Sequence, residues 1–388
     1  MKLLSVSFIL FLLFLFTGCE TDAPTSTPQH QVDAQSDLQN FQALAKGGPA
    51  LRVMTRNIYI GADVDKVLSA ENPEDIPLLT AQAFQQLIAT NFPGRAISLA
   101  NEIALTKPDL IGLQEVTLLR LQSPGDAVVG GTQPAVDTLI NYLDVLVATL
   151  QAYGLDYKVA ALVENADVEL PMVTGVDPLT FDDIRVTDFD VILARDHVEV
   201  SDVTAKNFAI NLVIPDLNTE ILRGYCAVDA TVGPHTYRFV NTHLEAFAAE
   251  IRLAQISELL TDLSSETLPI VMLGDFNSPA PQGPTYNAIL SAGYTDLWTQ
   301  NRLQDDPTGH TFGHDAGLRN PVANFTERID HIYVKSELPL TEPVIAIVVG
   351  DEPFNRTASG LWPSDHGGVV ARFALPLLPP GRLARVLN

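Results

Sequence analysis

The chain has 388 residues, 46% of them hydrophobic and 18% charged, with a formal net charge of −24. Such apolar content supports one large core or two modest ones and excludes a mostly disordered chain. The acidic balance argues against a protein that grips nucleic acid by neutralising phosphates with basic side chains. It leaves room for a hydrolase, because bound divalent cations reverse the field locally.

In chain order, Met1 to Cys19 reads as an export signal. Lys2 supplies the positive start, and Leu3 to Phe16 is an apolar stretch too short for a good spanning helix. Phe16-Thr17-Gly18-Cys19 resembles a bacterial lipobox, which implies cleavage before Cys19 and acylation of that residue. Several acyl chains make a stable anchor. The expected layout is a lipoprotein signal peptide over 1–18 and a flexible tether over 19–49, rich in Thr, Ser, Pro and Gln. A globular domain over 50–376 and a tail over 377–388 follow. This layout implies a cell-envelope protein, attached to a membrane by lipid, with its globular domain outside the cytoplasm. Cys226, in an apolar run, is expected to be a buried, inert thiol.

Short apolar runs predict buried strands at Leu51–Met54, Leu110–Leu113, Val191–Ala194, Phe239–Val240, Ile270–Leu273, Ile329–Val334 and Val369–Phe373. Helical spacing links Ala96, Leu99, Ile103 and Ala104 ahead of Pro108. It also links Val136, Leu139, Ile140, Leu143, Leu146 and Leu150, and again Ile251, Ala254, Leu259, Leu260 and Leu263. Between Tyr157 and Tyr237 the pattern is mostly strand-like. Mixed strands and helices with no internal linker predict an α/β sandwich.

Polar clusters sit at the ends of, or within, these runs: Thr55-Arg56-Asn57, Gln114-Glu115-Val116, Asn241-Thr242-His243, Gly274-Asp275-Phe276-Asn277, Arg328-Ile329-Asp330-His331 and Ser364-Asp365-His366. Each alone is weak, since Asn and Asp are ordinary turn formers and caps. Their joint occurrence in this order points to a site built on strand ends. Glu or Asp carboxylates with an Asn amide make a hard-oxygen set that suits Mg²⁺. A phosphate ester needs an activated water, neutralised oxygens and help for the leaving group.

In these clusters the sequence resembles the endonuclease/exonuclease/phosphatase superfamily, and in particular its secreted bacterial members. The resemblance runs from Asn57 to His366. It implies a DNase I-like four-layered α/β sandwich, with two mostly antiparallel sheets face to face and helices outside. It implies Glu115 as the main ligand of Mg²⁺ (or Mn²⁺), with Asn57 beside it and Asp365 able to join. Asp275 and Asn277 would orient the nucleophile and the phosphate. His366 is the general-base candidate, with Asp330 holding its tautomer. His243 is the second catalytic histidine, and the carboxylate paired with it is expected at Asp188, with Asp190 the alternative.

Other polar residues keep plainer readings. His310 and His314 fall in a Gly-rich loop, and His331 is expected to be structural. Trp362 is either a rim contact or a packed aromatic. Two of Arg185, Arg195 and Arg223 are expected to pair with carboxylates. The tyrosine expected of AP endonucleases is replaced by His243, which favours the nuclease, sphingomyelinase and phosphatase branches. The substrate is therefore read as a phosphoester, either nucleic acid or a phospholipid head group, cleaved as a diester. Ile210–Leu222 is a modest candidate for a lipid-facing hairpin, or simply a buried strand pair. The alternatives are a phosphomonoesterase of the inositol-phosphate type, a surface binding protein that lost the chemistry, and a zinc hydrolase. The retained polar set argues against loss of the chemistry. Zinc is disfavoured by the lack of an HExxH motif or a compact His/Cys cluster. No protein partner is implied.

Overall fold

The computed structural model describes residues 38–39, 41–42, 50–215, 219–303, 307–341 and 343–376. The proposed signal peptide, Cys19 and the C-terminal tail lie outside them. Among the described residues no helix is long and apolar enough to cross a membrane.

One sheet is built from β1 (Leu51–Asn57), β2 (Leu110–Gln122), β3 (Asp137–Asn141), β4 (Tyr157–Val176), β5 (Leu179–Arg195), β14 (Ile345–Val349) and β15 (Gly368–Phe373). Its order is β14-β15-β1-β2-β5-β4, with β3 also on β2. The other holds β6 (Glu199–Asn207), β9 (Gly224–Val232), β10 (His235–His243), β11 (Ile270–Asp275), β12 (Thr295–Asp296) and β13 (Asp330–Lys335), in the order β12-β13-β11-β10-β9-β6. A separate hairpin pairs β7 (Leu212–Ile214) with β8 (Thr219–Ile221).

The strands read as apolar runs because both faces are covered. Along β1, Val53 turns inward and meets Leu110, Ile192, Cys226, Phe239, Leu273 and Val369 between the sheets. Its neighbour Met54 turns outward with Ile111 and Val191 onto helices α2 (Phe92–Thr106) and α3 (Tyr142–Ala152). The second sheet does the same: Val240, Met272 and Tyr333 pack on α4 (Ala249–Asp262) and α5 (Pro284–Ser291). Four layers result, as the resemblance implied.

Strand direction creates the site. β1 and β2 are parallel, and so are β10 and β11; the other pairings in both large sheets are antiparallel. The carboxyl ends of the parallel strands therefore share an edge with the starts of their antiparallel neighbours. At that edge β1 ends on Asn57, β10 on His243 and β11 on Asp275, while β13 starts on Asp330 and β15 follows His366. Asn241 ties the sheets together there. Its amide donates to Leu113 O (2.9 Å) and Val191 O (3.1 Å), and its Oδ1 accepts from Gln114 Nε2 (2.6 Å), all buried.

Two expectations need correction, and one helix had gone unexpected. Val136, Leu139 and Ile140 are not helical: residues 137–141 form β3 on β2. The helix starts at Tyr142, where the Asn141 side chain caps the amides of Leu143 and Asp144. Helix α1 (Ile76–Ala89) carried no expectation, because Leu78 and Ile88 face solvent and blur its period. Phe41, assigned to the tether, is fully buried beside Met54 and Phe92, so packing of the domain begins before residue 50.

Asn241→Ala leaves two buried carbonyls and the Gln114 amide without their partner. A loss of about 3 kcal/mol is expected, measured as a lower urea midpoint with unchanged denaturant slope.

Candidate active site

His366 lies in the short segment before β15, and its ring is buried. Nδ1 donates to Asp330 Oδ2 at 2.9 Å, while Nε2 is 3.7 Å from Asp275 Oδ2. Burial works against a charged ring, but Asp330, Asp275 and Asp365 outweigh it and push the pKa up to about 10. Asp275 and Asp365 bear the converse effect. Burial, then the charge of Asp330 on Asp275 and of Glu115 on Asp365, brings each carboxyl up to about 7.

Asp275 is also held in place by neighbours. Its Oδ1 accepts the Asn277 amide N–H (2.9 Å) and its Oδ2 accepts from Asn57 Nδ2 (3.1 Å). Asn277 has φ +49° and donates its own amide to Leu244 O at 2.9 Å. Gly274 makes this turn possible: at φ +150°, a Cβ there would fall 1.9 Å from Thr242 O.

The second histidine is set differently. Arg223 Nη1 lies 2.9 Å from His243 Nδ1. A guanidinium only donates, so Nδ1 accepts and the ring proton sits on Nε2, 3.5 Å from Asp275 Oδ2. Burial, Arg223 and His366 all lower its pKa well below the ordinary value. Asp188 and Asp190 cluster with this ring. Asp188, however, is the partner of Arg223 (3.6 Å), and a cation rather than a carboxylate occupies His243 Nδ1. The expected Asp188–His243 pair is thus replaced by Asp188–Arg223–His243.

Glu115 sits on a bulge of β2. Leu113 pairs with Val191 and Val116 with Phe189, leaving Gln114 and Glu115 opposite Asp190. Glu115 takes φ +57°, a left-handed conformation that swings its carboxylate to the site edge. Oε1 accepts from Asn57 Nδ2 (2.9 Å) and Oε2 from the Ile60 amide (2.8 Å). Asn57 Oδ1 accepts the Tyr59 amide at 2.9 Å. Asn57 therefore meets the carboxylates as a donor, and the oxygen it would offer a metal already accepts one backbone amide.

The donor set fits a hard divalent cation. Carboxylates of Glu115, Asp275, Asp330 and Asp365 converge with a single basic ring. Oxygens of Asp275 and Asp330 and a nitrogen of His366 lie within 4.8 Å of one another. Asp330 Oδ1 is buried without a hydrogen-bond partner.

Other readings resolve by packing. Trp362 is buried, stacked on His314 at 4.3 Å, and donates to Asn320 O. His331 is structural, bonded to Ser278 O. Arg185 pairs with Asp167 and Arg223 with Asp188. Cys226 is buried. The Ile210–Leu222 segment contains the β7–β8 hairpin, with Val213 exposed. Sequence reasoning missed Arg95 and Asn165, and placed Ser364 in its cluster without a role. Arg95 and Ser364 act through backbone carbonyls or amides that no residue pattern encodes, and Asn165 donates to Asp188 Oδ2 at 3.4 Å.

The family model of the endonuclease/exonuclease/phosphatase family matches residues 87–366. The chain belongs to this family. Members of the endonuclease/exonuclease/phosphatase family are phosphoester hydrolases that use divalent metals. Similar folds occur in a family protein from Bacteroides thetaiotaomicron (16% identity, 84% of this chain and 96% of that one, TM-score 0.52). Another is from Bacteroides vulgatus (17%, 85% and 100%, 0.50). A mannosyl-6-phosphatase from Bacteroides thetaiotaomicron is also similar (15%, 84% and 99%, 0.50). No curated protein sequence matches the chain.

The His366 charge makes a stability prediction. Its folded pKa of about 10 exceeds the ordinary 6.5, so its contribution is complete below pH 6.5 and is lost as pH rises towards 10. Melting temperature in EDTA should fall between pH 7 and 10, and His366→Gln should flatten that slope. Equal slopes in both proteins would refute the assignment of this charge.

Proposed function

We propose that the chain is a Mg²⁺-dependent phosphodiesterase in which His366 activates water for attack on phosphorus. The carrying observation is the buried Asp330–His366 pair beside Asp275. Asp330 fixes the proton on Nδ1, leaving Nε2 to accept from water. Asp275 and Asn277 orient water and phosphate. Neutral His243 keeps a proton on Nε2 to donate to a phosphate oxygen or the leaving group. Arg223 adds positive charge beside it.

Glu115 and Asp365 would hold the cation, with Asn57 steering Glu115 by its amide. That cation would neutralise the phosphate, acidify water and bring the His366 pKa down from about 10. Retention of every acidic and histidine group supports an enzyme over a binding protein. Excess carboxylates favour a singly charged diester over a doubly charged monoester. The mannosyl-6-phosphatase shares the fold at low identity and does not shift that preference. The substrate class is nucleic acid or a phospholipid head group. From the lipobox-like segment we also propose export and anchoring through Cys19, which would put the domain in the cell envelope.

A soluble form beginning at Gln29 would be assayed on DNA, RNA, sphingomyelin and inositol phosphates, with Mg²⁺, Zn²⁺ or EDTA. Mg²⁺-dependent cleavage of a diester is expected, and His366→Ala should lower turnover more than about 100-fold at unchanged fold. Near-normal turnover in His366→Ala removes the base. Dependence on Zn²⁺ sinks the metal assignment.

A further inference from the structure

We propose that Arg95, which reaches none of the site's side chains by hydrogen bond, is the positioning residue for the carboxylate-binding loop. This rests on the reading of Glu115 as a metal ligand. Arg95 lies on α2, is wholly buried, and spends its guanidinium on backbone oxygens. Nε donates to Thr90 O (3.0 Å). Nη1 donates to Ile58 O (2.6 Å) and Pro363 O (3.0 Å), and Nη2 to Tyr59 O (3.0 Å). The rings of Phe92, Tyr142 and Tyr59 surround it.

The consequence follows from the planarity of the peptide. In a trans peptide, C=O and N–H point in opposite directions. The carbonyl of Ile58 and the amide of Tyr59 belong to one plane. Arg95 holds the oxygen, so the N–H faces the other way, onto Asn57 Oδ1 at 2.9 Å. The carbonyl of Tyr59 and the amide of Ile60 form the next plane. Arg95 holds that oxygen too, and the N–H faces Glu115 Oε2 at 2.8 Å. Extended backbone alternates the direction of successive peptides, whereas helical conformations of either hand align them; Tyr59, at φ +60°, takes the left-handed one. One guanidinium thus aims two successive amides at two groups of the site, an anion-binding concavity in the backbone.

The same fork reaches the opposite end of the chain. Pro363, whose carbonyl it holds, precedes Ser364. Ser364 Oγ donates to Asn57 O (2.8 Å) and accepts the His366 amide (3.2 Å). Arg95 therefore sets the Asn57–Ile60 loop against the Ser364–His366 segment. A lysine carries its three donors on one nitrogen and cannot span these four oxygens.

Arg95→Lys would be compared with Arg238→Lys. Arg238 is a largely buried arginine on β10 that bonds to Asp202 O, Asp229 and Thr204, away from the site. Both should lose thermal stability. Arg95→Lys alone should lower kcat about 100-fold with little change in KM, and weaken Mn²⁺ binding, read by titration, about 10-fold. Equal losses of melting temperature with unchanged kcat and Mn²⁺ affinity in Arg95→Lys would overturn the proposal. If that variant does not fold, amide exchange in the metal-free wild type decides. Slow exchange at both Tyr59 and Ile60 is expected, and free-loop rates there would also overturn it. Failure of Glu115→Gln to weaken Mn²⁺ binding would instead remove the ligand reading of Glu115, leaving the exchange result to stand on its own.

Discussion

The site depends on burying more negative charge than the side chains around it can neutralise. Glu115, Asp275, Asp330 and Asp365 share one edge of the sandwich with a single protonated ring, His366. Burying a charge is costly unless it is paired or hydrogen-bonded. Bent backbone does much of this here. Amides of Ile60 and Asn277 bind Glu115 and Asp275, and that of Tyr59 binds Asn57, the side chain between them. Each of those contacts involves a residue with positive φ: Tyr59, Glu115 or Asn277. Strain of this kind persists only where the surroundings over-determine it. Here the surroundings are the parallel strand pairs, the Asn241 bridge and the guanidinium of Arg95.

The arginines divide the remaining work. Arg56 is paired with Glu102 and donates to His366 O, fixing the backbone beneath the base. Arg95 orients peptides. Arg223 touches a catalytic candidate directly and adds to the burial that keeps His243 neutral. These three cations act through backbone, through a carboxylate and through an imidazole. Exchanging one for another basic residue would not preserve any of these arrangements.

The layers and the polar clusters were legible in the sequence for a common reason. Strands covered on both faces must be apolar, so polar residues at their ends stand out, as at Leu110–Leu113 followed by Gln114-Glu115. Pairing within the clusters was legible only where chemistry dictates it, as for Asp330 with His366. The partner of His243 was not, because Asp188 comes from β5 of one sheet and Arg223 from the segment just before β9 of the other, and only packing decides which reaches Nδ1. The orientation of Asn57 was hidden as well, since it follows from a backbone amide two residues on. The Val136–Ile140 error has the same root. An apolar period fits a helix until Asn141 caps the next segment and β2 offers a pairing edge.

The two histidines show what this arrangement achieves chemically. They start from the same intrinsic pKa and face the same Asp275, at 3.5 and 3.7 Å. Burial lowers both. The difference lies at Nδ1, where Asp330 makes one ring readily protonated and Arg223 makes the other resist protonation. Environments that separate the pKa values of paired groups assign acid and base roles. In metal-free protein at neutral pH, His366 already carries the proton that a base must be free to accept. Added positive charge beside it must therefore precede its use as a base. The proposed reaction is accordingly coupled to cation binding by the electrostatics of these residues, as well as by the cation's own effect on phosphate.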